Sequence, residues 1–223
     1  MDQHTKTVLG SSPLFCAMDG PLFERVAALA SQVQFSRGQV LFQQGDPASR
    51  FFVVIEGWVK LYRQSPVGEE TIINIFSNGE SFAEAVLFSG QTYPVSAEAV
   101  TDSMLVAFEG RSFLGEMERQ PAIARALLSS MARRMHALVR DLEQMKGRSA
   151  PKRLAAWLVR LSRERDDATQ IRLPYEKSLI AARLGMTPES LSRAFLKLRR
   201  HGVTTKGALV TISDCKKLLE LDS

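Results

Sequence analysis

The chain has 223 residues, 45% apolar and 24% charged, enough to bury cores in two modest domains. Its two cysteines, Cys16 and Cys215, lie near opposite ends, which excludes a disulfide framework, rules out a four-thiolate iron–sulfur or zinc site within one chain, and points to a reducing cytoplasm. No run of about 18 apolar residues occurs, and Met1-Asp2-Gln3-His4 starts no basic-then-apolar leader, so neither a membrane span nor a secretory signal is expected. The net charge of +5 is unevenly spread: residues 1–145 hold 12 Lys/Arg against 16 Asp/Glu, whereas residues 146–206 hold 15 against 5. A basic second half on an acidic first half suggests a polyanion partner at the C-terminal end.

In chain order, residues 13–34 read as a helix, with Leu22, Val26, Leu29 and Val33 at helical spacing. From Gln39 to Phe108 the pattern becomes short apolar or alternating runs: Val40–Phe42, Phe51–Ile55, Trp58–Tyr62, Thr71–Phe76, Val95–Ala99 and Met104–Phe108. Gly45-Asp46-Pro47, Glu56-Gly57, Pro66-Val67-Gly68 and Asn78-Gly79 separate them, as in an antiparallel sandwich or roll. A long helix is then expected from Pro121 to Lys146. Ala124, Leu128, Met131, Met135, Leu138, Leu142 and Met145 alternate gaps of four and three residues, a narrow seam suited to a parallel homodimer. Gly147–Pro151 reads as a hinge. Beyond it, Leu154, Leu158 and Leu161 mark a helix, and Gln170–Leu173 and Leu209–Ile212 mark short strands.

The segment from Ser178 to Arg193 carries the functional argument. Ile180 and Leu184 would pack a first helix, Ala181 allows close crossing, and Gly185 suits a left-handed turn. Thr187 and Pro188 would then cap and start a second helix, with Leu191 and Ala194 inward and Gly202 at its end. Two helices joined this way are a helix-turn-helix. Glu189, Ser192 and Arg193 share one outward face in the first turns, the part that enters a major groove. Arg193 can pair with a guanine edge, Glu189 can accept from a cytosine amino group, and Ser192 can reach a neighbouring base. Thr187, Lys197, Arg199, Arg200 and Lys206 are placed for phosphates.

The order of roll, long helix and winged helix-turn-helix resembles the CRP/FNR family of bacterial regulators over nearly the whole chain. Gly38, Gly45-Asp46, Gly57 and Gly79 match the roll's turns, and Glu189-x-x-Ser192-Arg193 matches the FNR type of recognition helix. The resemblance implies an α+β fold with three parts: a cyclic-nucleotide-binding-like sensor β-roll (jelly roll) over 1–118, a dimerisation helix over 119–147 and a winged helix-turn-helix over 148–223. It also implies a homodimer on double-stranded DNA at a TTGAT-N4-ATCAA inverted repeat, with RNA polymerase as a partner; the sequence leaves both activator and repressor action open.

The sensor departs from the family pattern. The nucleotide cassette reads Gly-Glu-Leu followed by Arg-Ser or Arg-Thr, whereas this chain has Phe82-Ala83-Glu84-Ala85 and then Tyr93-Pro94. Glu84 could still hold a ribose hydroxyl, but the arginine that pairs with the phosphate is missing, a loss of about 2–5 kcal/mol. Cyclic AMP is therefore not the expected effector; a cyclic-nucleotide-responsive regulator with a divergent cassette remains the alternative. The stretches Phe82–Ala85, Gly57–Arg63 and Pro66–Glu70 are most similar to Dnr-type regulators, which are associated with denitrification, haem and nitric oxide. An apolar effector pocket formed by Phe82, Glu84, Tyr93, Pro94, Met131 and Met135 is expected. Haem would have Cys16 or His136 as ligands; otherwise Cys16 is expected to be buried packing, His4 lies in a leader and His201 ends the recognition helix. No catalytic motif of a hydrolase, metalloprotease, nucleotide-phosphate or dinucleotide enzyme is present, so no enzyme is expected.

Overall fold

The computed structural model describes residues 1–65, 68–89, 92–145, 149–163, 170–173, 177–214 and 218; within these, the side chains at 87, 89, 134, 137–145 and 163 are left aside. Two compact units form, Met1–Val139 and Arg140–Ser223.

The first unit begins with two short helices, α1 (Gln3–Ser11) and α2 (Gly20–Ala27), each started by an aspartate. Asp2 accepts from the Thr5 amide at 2.7 Å, and Asp19 from the Leu22 amide at 2.9 Å. The single helix expected over 13–34 is thus corrected. A turn follows α1, Asp19 and Pro21 restart the chain as α2, and from Ala30 the backbone extends as a strand. His4 likewise stands in α1, 3.9 Å from Glu56, rather than in a loose leader.

Eight strands follow: β1 (Ala30–Phe35), β2 (Val40–Phe42), β3 (Arg50–Glu56), β4 (Val59–Gln64), β5 (Glu70–Phe76), β6 (Ser81–Phe82), β7 (Ser96–Ala99) and β8 (Ser103–Glu109). They make two antiparallel sheets, β1-β8-β3-β6 and β2-β7-β4-β5. A short helix α3 (Glu84–Ser89) follows β6, and helices α4 (Gly110–Arg119) and α5 (Pro121–Met145) follow β8. Neither α3 nor α4 was anticipated by the sequence reading.

Strand β3 explains the architecture. Phe52 and Val54 enter a core with Phe42, Val59, Phe76, Phe82, Tyr93 and Ala97, between the sheets. Phe51, Val53 and Ile55 point the other way, into a core with Leu9, Val26, Phe113, Ile123 and Leu127 from the helices and Phe15 from the turn after α1. With both faces covered, the strand reads as a continuous apolar run rather than an alternation. Helix α5 also works on two faces. Ile123 and Leu127 are buried on the roll, while Leu128, Met131 and Met135 are exposed (66%, 37% and 58%). The expected seam is therefore only one side of a helix that also packs on its own domain.

The second unit contains α6 (Ala150–Arg163), β9 (Gln170–Arg172), α7 (Lys177–Arg183), α8 (Pro188–Leu198), β10 (Val203–Lys206) and β11 (Leu209–Ile212). The strands form an antiparallel sheet in the order β10-β11-β9. The hairpin between β10 and β11 reverses at Gly207-Ala208, because Lys206 pairs with Leu209. Leu154, Leu158, Ile180, Leu191, Ala194, Leu198, Val210 and Ile212 are buried. The mixed α+β architecture matches the expectation, whereas the hinge read at Gly147–Pro151 falls partly outside the described residues.

Candidate nucleic-acid interface and sensor core

The junction between α7 and α8 is fixed by backbone chemistry. The Met186 amide donates to the Ala181 carbonyl at 2.9 Å and the Gly185 amide to the Ala182 carbonyl at 3.1 Å. This pair closes the end of α7 with Gly185 left-handed at φ 59°. Thr187 is extended and accepts from the Ser190 amide at 3.3 Å, and Pro188 fills the first helical position, where no amide is needed. Arg153 on α6 donates to the Gly185 carbonyl at 3.4 Å and so ties the turn to the preceding helix. After α8 a 3₁₀ turn, Arg199–His201, ends at Gly202, whose φ is 82°. A Cβ there would collide with the Ser213 side chain.

This frame decides which way each side chain of α8 faces. Leu191, Ala194 and Leu198 are buried, while Glu189 and Arg193 are exposed and Ser192 is half-buried. Thr187, Lys197, Arg199, Arg200 and Lys206 are exposed as well. The structure thus brings Glu189, Ser192 and Arg193 to one side of one helix. The Glu189 carboxyl is held below the usual carboxylate range, first by its own backbone amide, then by the Thr187 hydroxyl and by the positive charge of Arg193. It stays an acceptor near neutral pH, while the guanidinium of Arg193 presents a fork of donors. Side by side, these groups can read a C·G pair from its edge. Leu196, also exposed on α8, was not singled out from the sequence; the 3.6-residue period marks it as outward-facing.

In the first unit, the residues proposed for an effector pocket separate. Phe82 and Tyr93 are buried in the intersheet core. Phe82 stacks with Phe52 at 5.3 Å between ring centroids and is tilted against Phe76 at 5.2 Å; Tyr93 stacks on Phe42 at 3.7 Å. The Tyr93 hydroxyl donates to the Arg50 carbonyl at 2.7 Å and accepts from the Arg50 amide at 3.0 Å. Burial pushes its pKa up. Glu84 is half-buried and accepts from the Ser81 hydroxyl at 3.3 Å, Pro94 is exposed, and Met131 and Met135 lie exposed on α5, outside that core. Ala83, in the middle of the altered cassette, is left-handed at φ 66°, the one described non-glycine residue with positive φ.

Tyr93 therefore offers no cation for a cyclic phosphate, and its ring and hydroxyl are already engaged; these residues do not fit a cyclic nucleotide held in the family's manner. The haem donors fare no better. Cys16 is exposed in a turn rather than buried packing, because Phe15 beside it takes the core position. Its sulfur lies 3.8 Å from Nη2 of Arg133, and His136 is exposed on α5. Among the described residues no three His, Cys, Asp or Glu side chains converge on a metal position. Among the described residues no helix is long and apolar enough to cross a membrane.

Comparison with known proteins agrees with this layout. A cyclic nucleotide-binding domain model matches residues 32–120, and a Crp-like helix-turn-helix domain model matches residues 152–221. The transcriptional activator protein anr of Pseudomonas aeruginosa is 33% identical over 199 residues, covering 83% of this chain and 78% of that one. A solved structure from Silicibacter pomeroyi DSS-3, described as a candidate cAMP-binding regulatory protein, is 37% identical with a TM-score of 0.88 over the whole of both chains. DNR from Pseudomonas aeruginosa is 28% identical with a TM-score of 0.60 over 99% of both. These likenesses, with the helix-turn-helix geometry of α7 and α8, make the chain a member of the CRP/FNR family of transcription regulators, with a cyclic-nucleotide-binding-type domain ahead of a DNA-binding Crp-like helix-turn-helix.

Proposed function

We propose that this regulator acts as a cytoplasmic homodimer that reads a TTGAT-N4-ATCAA inverted repeat and recruits RNA polymerase under the control of an effector other than cyclic AMP. The observation that carries the reading is the shared outward face of Glu189, Ser192 and Arg193 on α8. In it, Arg193 donates to guanine, Glu189 accepts from the paired cytosine and Ser192 meets the adjoining pair. Thr187, Lys197, Arg199, Arg200 and Lys206 hold phosphates and set affinity rather than sequence. Residues 1–118 form the sensor, 119–147 the dimerisation helix and 148–223 the reader. The second copy would cover Leu128, Met131 and Met135, which large exposure leaves open to a partner. Leu138, Leu142 and Met145 extend the same seam in sequence. The two readers must stand about one DNA turn, ~34 Å, apart, and the effector acts by setting that spacing through the 121–146 helices.

The effector reading rests on Tyr93, whose hydroxyl and ring are committed to Arg50 and Phe42. A second reading, cyclic-nucleotide control through a divergent cassette, is favoured by the likeness to the Silicibacter pomeroyi structure. Calorimetry with cyclic AMP and cyclic GMP separates the two: saturable micromolar heat supports the second. For the DNA reading, gel shifts compare the inverted repeat with a scrambled duplex. R193A removes one guanine contact in each half-site, each worth about 1–3 kcal/mol. It should therefore abolish the preference, and equal binding of the wild-type protein to both duplexes would defeat the reading.

A further inference from the structure

In the second unit, Leu196 is the one large apolar side chain that is exposed among the described residues, at 58%. Its place is not incidental to the helix. At about 100° per residue, Leu196 lies about 20° from Glu189, about 40° from Ser192 and about 60° from Arg193 around α8. It is thus at the centre of the outward face, directly opposite the buried Leu198 and flanked by Lys197 and Arg200. The described residues leave this leucine largely uncovered in the middle of a polar, basic surface. Along the axis it stands about 4.5 Å past Arg193, a little more than one base-pair step of about 3.4 Å.

The major-groove edge of a base pair carries one apolar feature, the C5-methyl group of thymine. We infer that Leu196 is a specificity residue that packs against a thymine methyl within two base pairs of the guanine read by Arg193. The assignment rests on the DNA reading above and adds to it an apolar contact that selects T·A where hydrogen bonds alone would leave the pair open. Leu196 thereby extends base reading one turn beyond the polar residues of the first turns. Its exposure follows from that role, since the methyl it covers is present only on the complex.

The test is a deoxyuridine scan. In the inverted repeat each thymine is replaced in turn, in both half-sites, by deoxyuridine, which removes the methyl group and nothing else. Affinities of the full-length wild-type protein and of L196A are measured for each duplex at one low salt concentration. Alanine keeps an exposed helical position folded. One buried methyl is worth about fourfold per half-site, so about 16-fold is expected for wild type at one thymine position near the guanine. L196A should bind the thymine and uracil forms of that duplex within about twofold of each other. If the wild-type protein prefers the inverted repeat but no nearby thymine is uracil-sensitive, or if L196A keeps the sensitivity, the assignment of Leu196 fails while the DNA reading stands. If the wild-type protein shows no preference for the inverted repeat over a scrambled duplex, the reading falls and this contact falls with it.

Discussion

Replacing Tyr93 by phenylalanine removes one oxygen atom and keeps the ring. The Phe42 stack, with centroids 3.7 Å apart, is unchanged. What is lost is a pair of hydrogen bonds, 2.7 Å and 3.0 Å long, that tie the carbonyl and the amide of Arg50 at the start of β3 to the loop before β7. Tyr93 itself is 4% exposed, so no water takes the hydroxyl's place at full strength. An unsatisfied buried backbone group costs about 1–3 kcal/mol; because the surroundings of Arg50 are only partly buried, the lower half, about 1–2 kcal/mol, applies to Y93F. For a unit of this size that corresponds to a melting shift of roughly 3–8 °C. Differential scanning calorimetry of the full chain reads it directly. Y93F melting within about 1 °C of wild type would refute the claim that this hydroxyl holds the roll. The same geometry bears on the sensor. If Tyr93 is a wall, then restoring the family residues in a Y93R/P94S variant destabilises the roll instead of creating a cyclic AMP site.

Two other positions make separate tests. Ala83 holds φ 66°, which costs an L-residue roughly 1–2 kcal/mol; glycine relieves that but loses a half-buried methyl and gains unfolded-state freedom, so A83G should stay within about 0.5 kcal/mol of wild type in urea titration. A83V, β-branched in a left-handed position, should lose more than about 2 kcal/mol, and a tolerated valine would show that the backbone there is not fixed. Asp2 has its carboxyl lowered to about 2, first by the Thr5 amide and then by Gln32 and the Thr5 hydroxyl. Its contribution to α1 is complete above the ordinary carboxylate range and is lost as pH falls through about 2. Carboxyl-carbon NMR should show Asp2 titrating near 2, and D2N should remove the acid-side loss of α1.

The reader was legible in the sequence because its chemistry is local. Gly185, Thr187 and Pro188 each have a backbone reason to stand where they do, within four residues of one another, and periodicity then assigns Leu191 and Ala194 inward. The roll was legible as strands, since turns such as Asn78-Gly79 punctuate it. The segments that were misread are those whose structure depends on distant partners. Residues 30–35 extend because β8 offers them a ladder, and nothing local separates that outcome from a continued helix. On α5 the exposed seam was visible as a heptad, yet the face with Ile123 and Leu127 shows only once β3 and its neighbours are in place to receive it.

Tyr93 is the sharpest case of that divide. In sequence it registers as an absence, a position where the family's arginine is missing. In the structure it is a gain: an aromatic wall stacked on Phe42 and bolted to the Arg50 backbone. A missing ligand contact alone would leave a weakened nucleotide site that a high effector concentration could still fill. A ring and hydroxyl already committed to the core also leave Tyr93 no free polar group to offer in the arginine's stead. At α8 the corresponding side chains, Glu189 and Arg193, stay exposed and uncommitted to the core, so the two ends of the chain differ in what their polar groups are free to meet.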